Sequence, residues 1–455
     1  MDGTTPLLLA FATAWLARRE LSGLIRLYLS SISVSLVIAP RFDFSAVITR
    51  DERSRLGTYT ALWVVTSVIA GLLTSRRRNQ PRPRAERGLS PRSAPVLGPV
   101  LASSFLCLLI QAMLIAASAI GMAAQYAGGS SGGGYIGLLG QIGPAIAAGG
   151  VLAARAAGQS RSPLGMAAIG LLAAHVVLLT FTGFRGAAPI LLLVLPVAAS
   201  GAPGQPRVRS RLAVAGAFAG AMTALFLFGA AIRTQAASQV TAAGEITNSV
   251  GTGNLVTTVV ERLDYVPFLR QAVYLRHDAQ ARSAVRLSDQ VRALTPRFLS
   301  HRKKPVAYGE QVAVEFFGAP PGAPTASTIT ALGDGIVNVG TYGALMMIGI
   351  YLIALDTAFR YVGSTPSPRN LALLVILAQT AFDIGSPVIM NGIGTLRNIL
   401  SAIIILAIAD RLLPVGIFTA PASPDAPRPH RRLVDSGRPA LAPALRVEMT
   451  DGQSA

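Results

Sequence analysis

The sequence predicts an all-α integral membrane protein with about 11 transmembrane helices and one long, partly helical extracytoplasmic loop. Apolar residues make up 51% of the 455 positions and charged residues only 13%, whereas soluble domains carry about 25% charged residues. The apolar residues fill long runs, close to the roughly 20 positions that a bilayer-crossing helix needs. The positive charges gather in short segments between these runs, as membrane orientation requires.

Eleven apolar runs are candidate spans. In chain order they are residues 5–17, 22–40, 58–74, 96–122, 134–154, 165–184, 187–200, 212–232, 329–355, 371–391 and 396–415. Eight of them lie in an N-terminal group, 1–232, and three in a C-terminal group, 326–415. We place the arginine-rich loop 75–93 in the cytoplasm and alternate sides from there, which puts arginine-free turns near 123–133 and 392–395 outside.

One segment fits this alternation poorly. Residues 41–57 carry four arginines on the predicted outer side, where an interfacial helix would be compatible with them. The assignment of the first two spans is therefore the weakest part of the predicted topology.

Two hydrophilic regions stand apart from the spans. Residues 233–325 form the extracytoplasmic loop, and loops of this length in compact proteins usually have a function. Apolar residues recur near the helical period between Thr257 and Asp289, which predicts helices on the outer membrane surface. The Pro- and Arg-rich segment 416–455 is predicted to be a disordered cytoplasmic tail.

Composition excludes several classes of protein. The formal charge of +19 is explained by membrane topology, so we expect no nucleic-acid partner. Cys107 is the only cysteine, which rules out an intrachain disulfide and a cysteine-based metal cluster. There is no Walker sequence, zinc-spaced His/Cys set or dinucleotide fingerprint. We therefore expect no metal and no soluble cofactor.

Arginines in the predicted loop and beside it are candidate ligands for phosphate, because a guanidinium donates paired hydrogen bonds that match phosphate oxygens. Arg185 lies at the outer end of one span, and Arg233 begins the loop. Arg262 and Arg270 follow within the predicted helices. The alternative is that these side chains reach for lipid headgroups or form local pairs, for example Arg262 with Glu261.

Polar residues near and within the C-terminal spans are the second group of candidates. Asp334, Asn338 and Asp383 fall at or inside apolar runs, where carboxylates are functional suspects, although each could instead be a structural partner. His301 lies in the loop and is placed for acid or base chemistry. His175, alone among Leu and Val, is expected to be a satisfied core residue.

Three stretches together resemble the bacterial oligosaccharide repeat-unit polymerases, the Wzy-type or O-antigen polymerase family. Residues 183–186 (Gly-Phe-Arg-Gly) resemble the family's Gly-x-Arg-Gly at the outer end of a central span. Residues 296–305 resemble its Pro-Arg-hydrophobic stretch followed by Lys-Pro. Residues 324–349, with Gly333-Asp334-Gly335 and then Asn338-Val339-Gly340, resemble its return to the membrane, with Asp334 in place of the commoner Glu and no aromatic before Gly340.

The resemblance implies a glycosyltransferase in a bacterial plasma membrane that moves a growing glycan from a polyprenyl pyrophosphate to the sugar hydroxyl of another lipid-linked repeat unit. Arg185, Arg233 and Arg297 are then candidates to stabilise the leaving pyrophosphate. Asp334 or His301 would accept the proton of the acceptor hydroxyl. The remaining candidates for holding substrate are Arg262, Arg270, Lys304 and Asn338. The resemblance also leaves open whether a chain-length regulator binds as a protein partner.

Other classes of protein stay open. A transporter or flippase for a lipid-linked or anionic solute would use the same arginines and carboxylates to line a path, although transporters usually show two related halves. A ligase of similar architecture would move the finished glycan to another acceptor. A membrane scaffold would use the basic loop to bind an anionic partner, with a salt-sensitive affinity.

Overall fold

The computed structural model describes residues 4–38, 40, 49–76, 97–116, 133–181, 264–292, 308–320, 328–364 and 367–412. Every regular element in these ranges is a helix, and none is a strand. In chain order they are α1 (Thr4–Ala17), α2 (Gly23–Ser33, continued by a π-helical turn Val34–Ile38), α3 (Arg50–Arg76), α4 (Leu97–Ala116), α5 (Gly133–Ala156), α6 (Pro163–Phe181), α7 (Val266–Tyr274), α8 (Ala279–Ala284), α9 (Leu287–Arg292), α10 (Tyr308–Phe317), α11 (Ala331–Gly363), α12 (Pro368–Phe382) and α13 (Val388–Leu412).

Four of the described helices, α3, α4, α11 and α13, are long and apolar enough to cross a bilayer. Shorter apolar helices accompany them, among them α1, α6 and α12. The predicted class, a helical membrane protein, agrees with these elements. The predicted spans 187–200 and 212–232 and the tail 416–455 lie outside the described residues.

Helices α5 and α12 pack against each other in the core. All side chains from 142 to 150 in α5 and from 371 to 378 in α12 are buried. The two backbones approach closely at Gly149, where an added Cβ would lie 2.5 Å from the backbone nitrogen of Ala372. Large apolar side chains such as Leu106 in α4 and Ile404 in α13 are instead exposed, as expected for helices surrounded by lipid.

Helix α3 begins eight residues before the predicted span at 58. Thr49 and Glu52 form a reciprocal cap at its start: the Glu52 carboxylate accepts the Thr49 backbone N–H at 3.0 Å, and the Thr49 hydroxyl accepts the Glu52 N–H at 3.3 Å. This arrangement satisfies backbone donors at a helix start. Residues 50–57, predicted as part of an interfacial segment, therefore continue directly into the apolar helix.

A buried charge joins α3, α11 and the start of α2. The Asp356 carboxylate is fully buried and accepts hydrogen bonds from the hydroxyls of Ser22 and Thr74. Arg360, one helical turn later in α11, donates from Nε to Asp356 at 2.8 Å. One charged side chain therefore fixes three segments of the chain to one another.

The predicted turn at 392–395 is wrong. Helix α12 ends at Phe382 and α13 begins at Val388. Asp383 Oδ1 accepts the backbone N–H groups of Gly385 and Ser386 at 3.2 and 3.1 Å, and Oδ2 accepts the Ser386 hydroxyl at 2.6 Å. These bonds close a turn over 383–387, so Asp383 lies at the end of a helix and not inside one.

Helix α11 is kinked at Gly340, whose φ and ψ are 75° and 174°. Residues other than glycine rarely adopt this backbone conformation. The kink separates a short segment, residues 331–339, from a longer one, residues 341–363. The short segment carries Asp334 and Asn338.

Replacing Gly340 with alanine is expected to lower the free energy of unfolding by about 1–3 kcal/mol. No heavy atom lies within 4 Å of the Cβ position, so the cost comes from the backbone alone. The matched control is Gly394→Ala in α13, which also faces open space but has helical geometry and is expected to be neutral or slightly stabilising. Thermal unfolding in detergent measures both, and equal midpoints would contradict the kink.

Candidate functional site

Asp334 and Asn338 of the short segment of α11 form a polar group with Gln290 of α9 and Tyr308 of α10, which we call the docking cluster. Asp334 is 1% exposed. Its Oδ1 accepts hydrogen bonds from Gln290 Nε2 at 2.9 Å and from the Tyr308 hydroxyl at 3.0 Å. Asp334 therefore holds α9 and α10 against α11.

Asn338 completes the docking cluster from one helical turn further along. Its Nδ2 donates to the carbonyl of Val285 at 2.9 Å, and its Oδ1 accepts the backbone N–H of Leu287 at 3.1 Å. The Asn338 side chain thus satisfies the Val285 carbonyl and the Leu287 N–H, two backbone groups at the corner between α8 and α9. Asp334 and Asn338 lie one helical turn apart, and both contact residues in the range 264–292; Asp334 also contacts Tyr308.

An apolar contact layer supports these hydrogen bonds. Val285, Val312, Phe316 and Val337 are buried together with Ala272 of α7. Burial raises the pKa of Tyr308 well above its usual value, and the neighbouring Asp334 carboxylate adds to this rise. Tyr308 therefore stays a neutral hydrogen-bond donor.

The turn 383–387 contacts the same region. The carbonyl of Ile384 accepts the N–H of Ala331 at 3.0 Å, which fixes the start of α11. The Tyr265 hydroxyl packs on Gly385, where an added Cβ would lie 2.7 Å from it. Burial, with the nearby charge of Asp383, raises the pKa of Tyr265 to about 12. The segment before α7 is thus anchored at this turn.

Arg270, a predicted substrate ligand, is engaged in an ion pair. Its Nε and Nη2 donate to Glu52 Oε1 at 3.1 and 2.9 Å. Because Glu52 also caps α3, this pair fastens α7 to the start of α3. The charge of Arg270 is balanced locally, so it offers less to an incoming phosphate than a free arginine would.

A set of basic side chains lies at the turn between α7 and α8 and on α8 itself, and we call it the basic cluster: Arg276, His277 and Arg282. Arg276 Nε is 3.0 Å from His277 Nε2, and Arg282 Nη2 is 3.5 Å from His277 Nδ1. A neutral imidazole has one acceptor nitrogen, so only one of these contacts is a hydrogen bond at a time. The two guanidinium groups therefore converge on a single acceptor.

The basic cluster is not neutralised within the described part of the chain. There, neither Arg276 nor Arg282 forms an ion pair, and Asp278 uses Oδ1 to cap α8. Arg276 Nη1 also contacts the Tyr59 hydroxyl at 3.1 Å, which places the basic cluster next to α3. Converging arginines that form no ion pair among the described residues favour an anionic ligand, because the ligand relieves their repulsion.

Six predicted site residues lie outside the described residues: Arg185, Arg233, Arg262, Arg297, His301 and Lys304. Of the remaining three, Asp334 and Asn338 belong to the docking cluster, and Arg270 pairs with Glu52. Within the described ranges, no three His, Cys, Asp or Glu side chains are grouped as metal ligands.

Sequence reasoning missed several members of these groups. Gln290 and Tyr308 carried no signal, since neither residue type stands out in a polar segment. Arg276 and Arg282 were visible as charges, but six residues of separation did not indicate that they share His277. No protein-family model, curated protein or solved structure matches this chain.

Proposed function

We propose that this protein polymerises polyprenyl-pyrophosphate-linked oligosaccharide repeat units into a surface polysaccharide in a bacterial plasma membrane. In this proposal the chain has about eleven spans, residues 233–325 lie on the outer face, and the tail 416–455 lies in the cytoplasm. The order of the three sequence stretches 183–186, 296–305 and 324–349 supports the assignment to this type of enzyme.

The observation that carries the proposal is the docking cluster. Asp334 and Asn338, which belong to the third of these stretches, hold α9 and the corner between α8 and α9 against α11 through hydrogen bonds. Helix α7 packs on the same region through the buried side chain of Ala272. Cations fixed before the reaction stabilise a developing negative charge better than mobile ones, because they need no reorganisation. The basic cluster supplies cations of this kind.

The chemistry follows from the substrate. The bond between the sugar anomeric carbon and the pyrophosphate oxygen breaks, and the pyrophosphate leaves with the electron pair. The acceptor hydroxyl oxygen forms the new bond to that carbon and gives its proton to a base, Asp334 or His301. Arg276 and Arg282 of the basic cluster join Arg185, Arg233 and Arg297 as candidates to bind the leaving group.

The test is the glycan profile of cells that lack the protein and are complemented with variants. Wild type is expected to restore long polymer. The double variant Arg276→Ala, Arg282→Ala is expected to reduce it by about 100-fold, the size of effect seen when a preorganised charge donor is removed, and to accumulate single lipid-linked repeat units. Gel analysis of surface and lipid-linked glycans measures both.

The matched control is Arg292→Ala in α9. Arg292 is exposed and forms an ion pair with Asp289, with Nη1 3.5 Å from Oδ1. This variant is expected to behave as wild type. Long polymer retained on the lipid carrier would indicate a ligase instead. Unchanged glycans together with altered uptake of a solute would indicate the transporter.

A further inference from the structure

Helices α4 and α6 contain buried polar atoms that no described residue of the chain satisfies. His175 is 0% exposed and Gln111 is 1% exposed. His175 Nδ1 and both polar atoms of the Gln111 side chain are buried and have no hydrogen-bond partner among the described residues. His175 is therefore buried as expected but only half satisfied, and Gln111 is not satisfied at all.

The position of the His175 ring is fixed by three helices. Its Nε2 lies 3.1 Å from both the hydroxyl and the carbonyl oxygen of Ser104. Helix α5 contacts it at Gly143, where an added Cβ would lie 2.6 Å from His175 Cε1 and 2.7 Å from Cys107 Cβ. A ring held this tightly cannot turn to find another partner.

The hydrogen bonds indicate which groups are left over. The Ser104 hydroxyl donates to the Gly143 carbonyl at 3.3 Å, and the Ser104 carbonyl only accepts. We therefore assign the proton to His175 Nε2, which leaves Nδ1 as an acceptor. The Gln111 carboxamide adds one acceptor oxygen and a donor NH₂ group. The unpartnered set is neutral and contains both acceptors and a donor, which suits water better than an ion.

The spacing along α4 places Gln111 on the same face of the helix as Ser104, the partner of His175. Ser104, Cys107 and Gln111 lie along one face of the helix, because they are three and four residues apart. Gln111 follows Ser104 by about 10 Å along the axis, and helical side chains lean back towards the N-terminus. The Gln111 side chain therefore leans towards the turn of α4 that carries Cys107, and Cys107 shares the contact at Gly143 with His175.

We propose that α4, α5 and α6 enclose a hydrated site in which water donates to His175 Nδ1 and to the Gln111 oxygen and accepts from the Gln111 nitrogen. Buried polar groups without a protein partner are commonly satisfied by internal water. Polar residues within membrane helices typically line such cavities. His175 then exchanges its ring proton with water, which a dry core histidine does not do. This inference does not depend on the proposed function.

Cys107 is a built-in reporter for this site. It is the only cysteine of the chain, it is buried, and it lies between Ser104 and Gln111 on the same face of α4. Its S–H vibration therefore gives a single infrared band. In D₂O the band moves to the S–D position only as fast as water reaches the thiol.

The experiment follows this exchange in the full chain reconstituted in lipid bilayers. The control carries Cys107→Ala with Leu106→Cys. This double change moves the thiol by one residue to an exposed position on the lipid-facing side of α4. The wild-type thiol is expected to exchange at least about tenfold faster than the control thiol. Gln111→Met, which keeps the shape of the side chain without its hydrogen bonds, is expected to slow the exchange of Cys107 to the control rate.

Two outcomes would overturn the proposal. One is a wild-type thiol that exchanges as slowly as the control, which would mean that the site is dry. The other is fast exchange that Gln111→Met leaves unchanged, which would mean that water reaches Cys107 by another route. The first comparison uses the wild-type side chains at 111 and 175, so it does not depend on whether variants at these positions fold.

Discussion

Replacing Asp356 with alanine is expected to lower the free energy of unfolding by about 3–5 kcal/mol, the cost of leaving one partner of a buried ion pair uncompensated. The carboxylate is fully buried and receives the Arg360 guanidinium at 2.8 Å. Without it, Arg360 keeps its charge and has no ion-pair partner among the described residues. The hydroxyls of Ser22 and Thr74 lose their acceptor as well. Thermal unfolding in detergent measures the loss.

Two further variants isolate the charge pair. Asp410→Ala removes an exposed acidic residue from α13 and is expected to change the midpoint very little. Asp356→Leu combined with Arg360→Leu removes both charges, and it is expected to recover most of the stability lost in Asp356→Ala, because apolar replacement of a buried pair is often neutral. If the double variant were as unstable as the single one, the pair would not be the origin of the effect.

The sequence predicted helices best where an apolar run is bounded by clear signals. The predicted runs 5–17 and 134–154 correspond within two residues to α1 and α5, since polar or glycine-rich segments flank both. The turn after α12 was missed because a hydropathy window of about 20 residues averages over it. The residues Gly385-Ser386-Pro387 after Asp383 form a helix-breaking sequence, and this sequence locates the turn where the averaged hydropathy does not.

Asp356 shows a different limit of sequence reasoning. A carboxylate inside an apolar helix, with an arginine four residues later, is a recognisable i,i+4 pair. Its two hydroxyl partners are not recognisable, because Ser22 lies 334 residues and Thr74 lies 282 residues before Asp356 in the chain. Such partners depend on how helices pack, which neither periodicity nor charge pattern specifies.

The candidate site divides in the same way. Asp334 and Asn338 share a helix, so their spacing alone places them one turn apart. Their partners Gln290 and Tyr308 lie 44 and 26 residues before Asp334 and become neighbours only when α9 and α10 pack onto α11. For Arg270, Glu52 was a competing partner 218 residues away, which the sequence could not indicate.

Replacing Asp334 with alanine is expected to lower the free energy of unfolding by about 3 kcal/mol, because the buried donors of Gln290 and Tyr308 lose their shared acceptor. The helices α9 and α10 should then separate from α11 more often. Trypsin cleavage after the arginines of α8 and α9 is expected to become faster in parallel with a lower unfolding midpoint. Asp289→Asn in α9, a half-exposed surface carboxylate, is the control and should alter neither measurement.

Asp334→Asn distinguishes docking from proton transfer. The amide keeps Oδ1 as an acceptor for Gln290 and Tyr308, so this variant is expected to keep most of the stability and the wild-type resistance to trypsin. The amide is not a base, however. Loss of long polymer in a stable Asp334→Asn protein would therefore place Asp334 at the reacting hydroxyl, since both hydrogen bonds to Oδ1 are retained.

Full polymer length in Asp334→Asn would point the other way. Asp334 would then act only by positioning the arginine-bearing helices, and the base would have to be sought elsewhere, first at His301. The buried position of the carboxylate, 1% exposed beneath Tyr308 and Gln290, favours this second outcome, because an acceptor hydroxyl must come within about 3 Å of its base. The same burial predicts that Asp334→Ala reduces polymer length in proportion to its loss of stability.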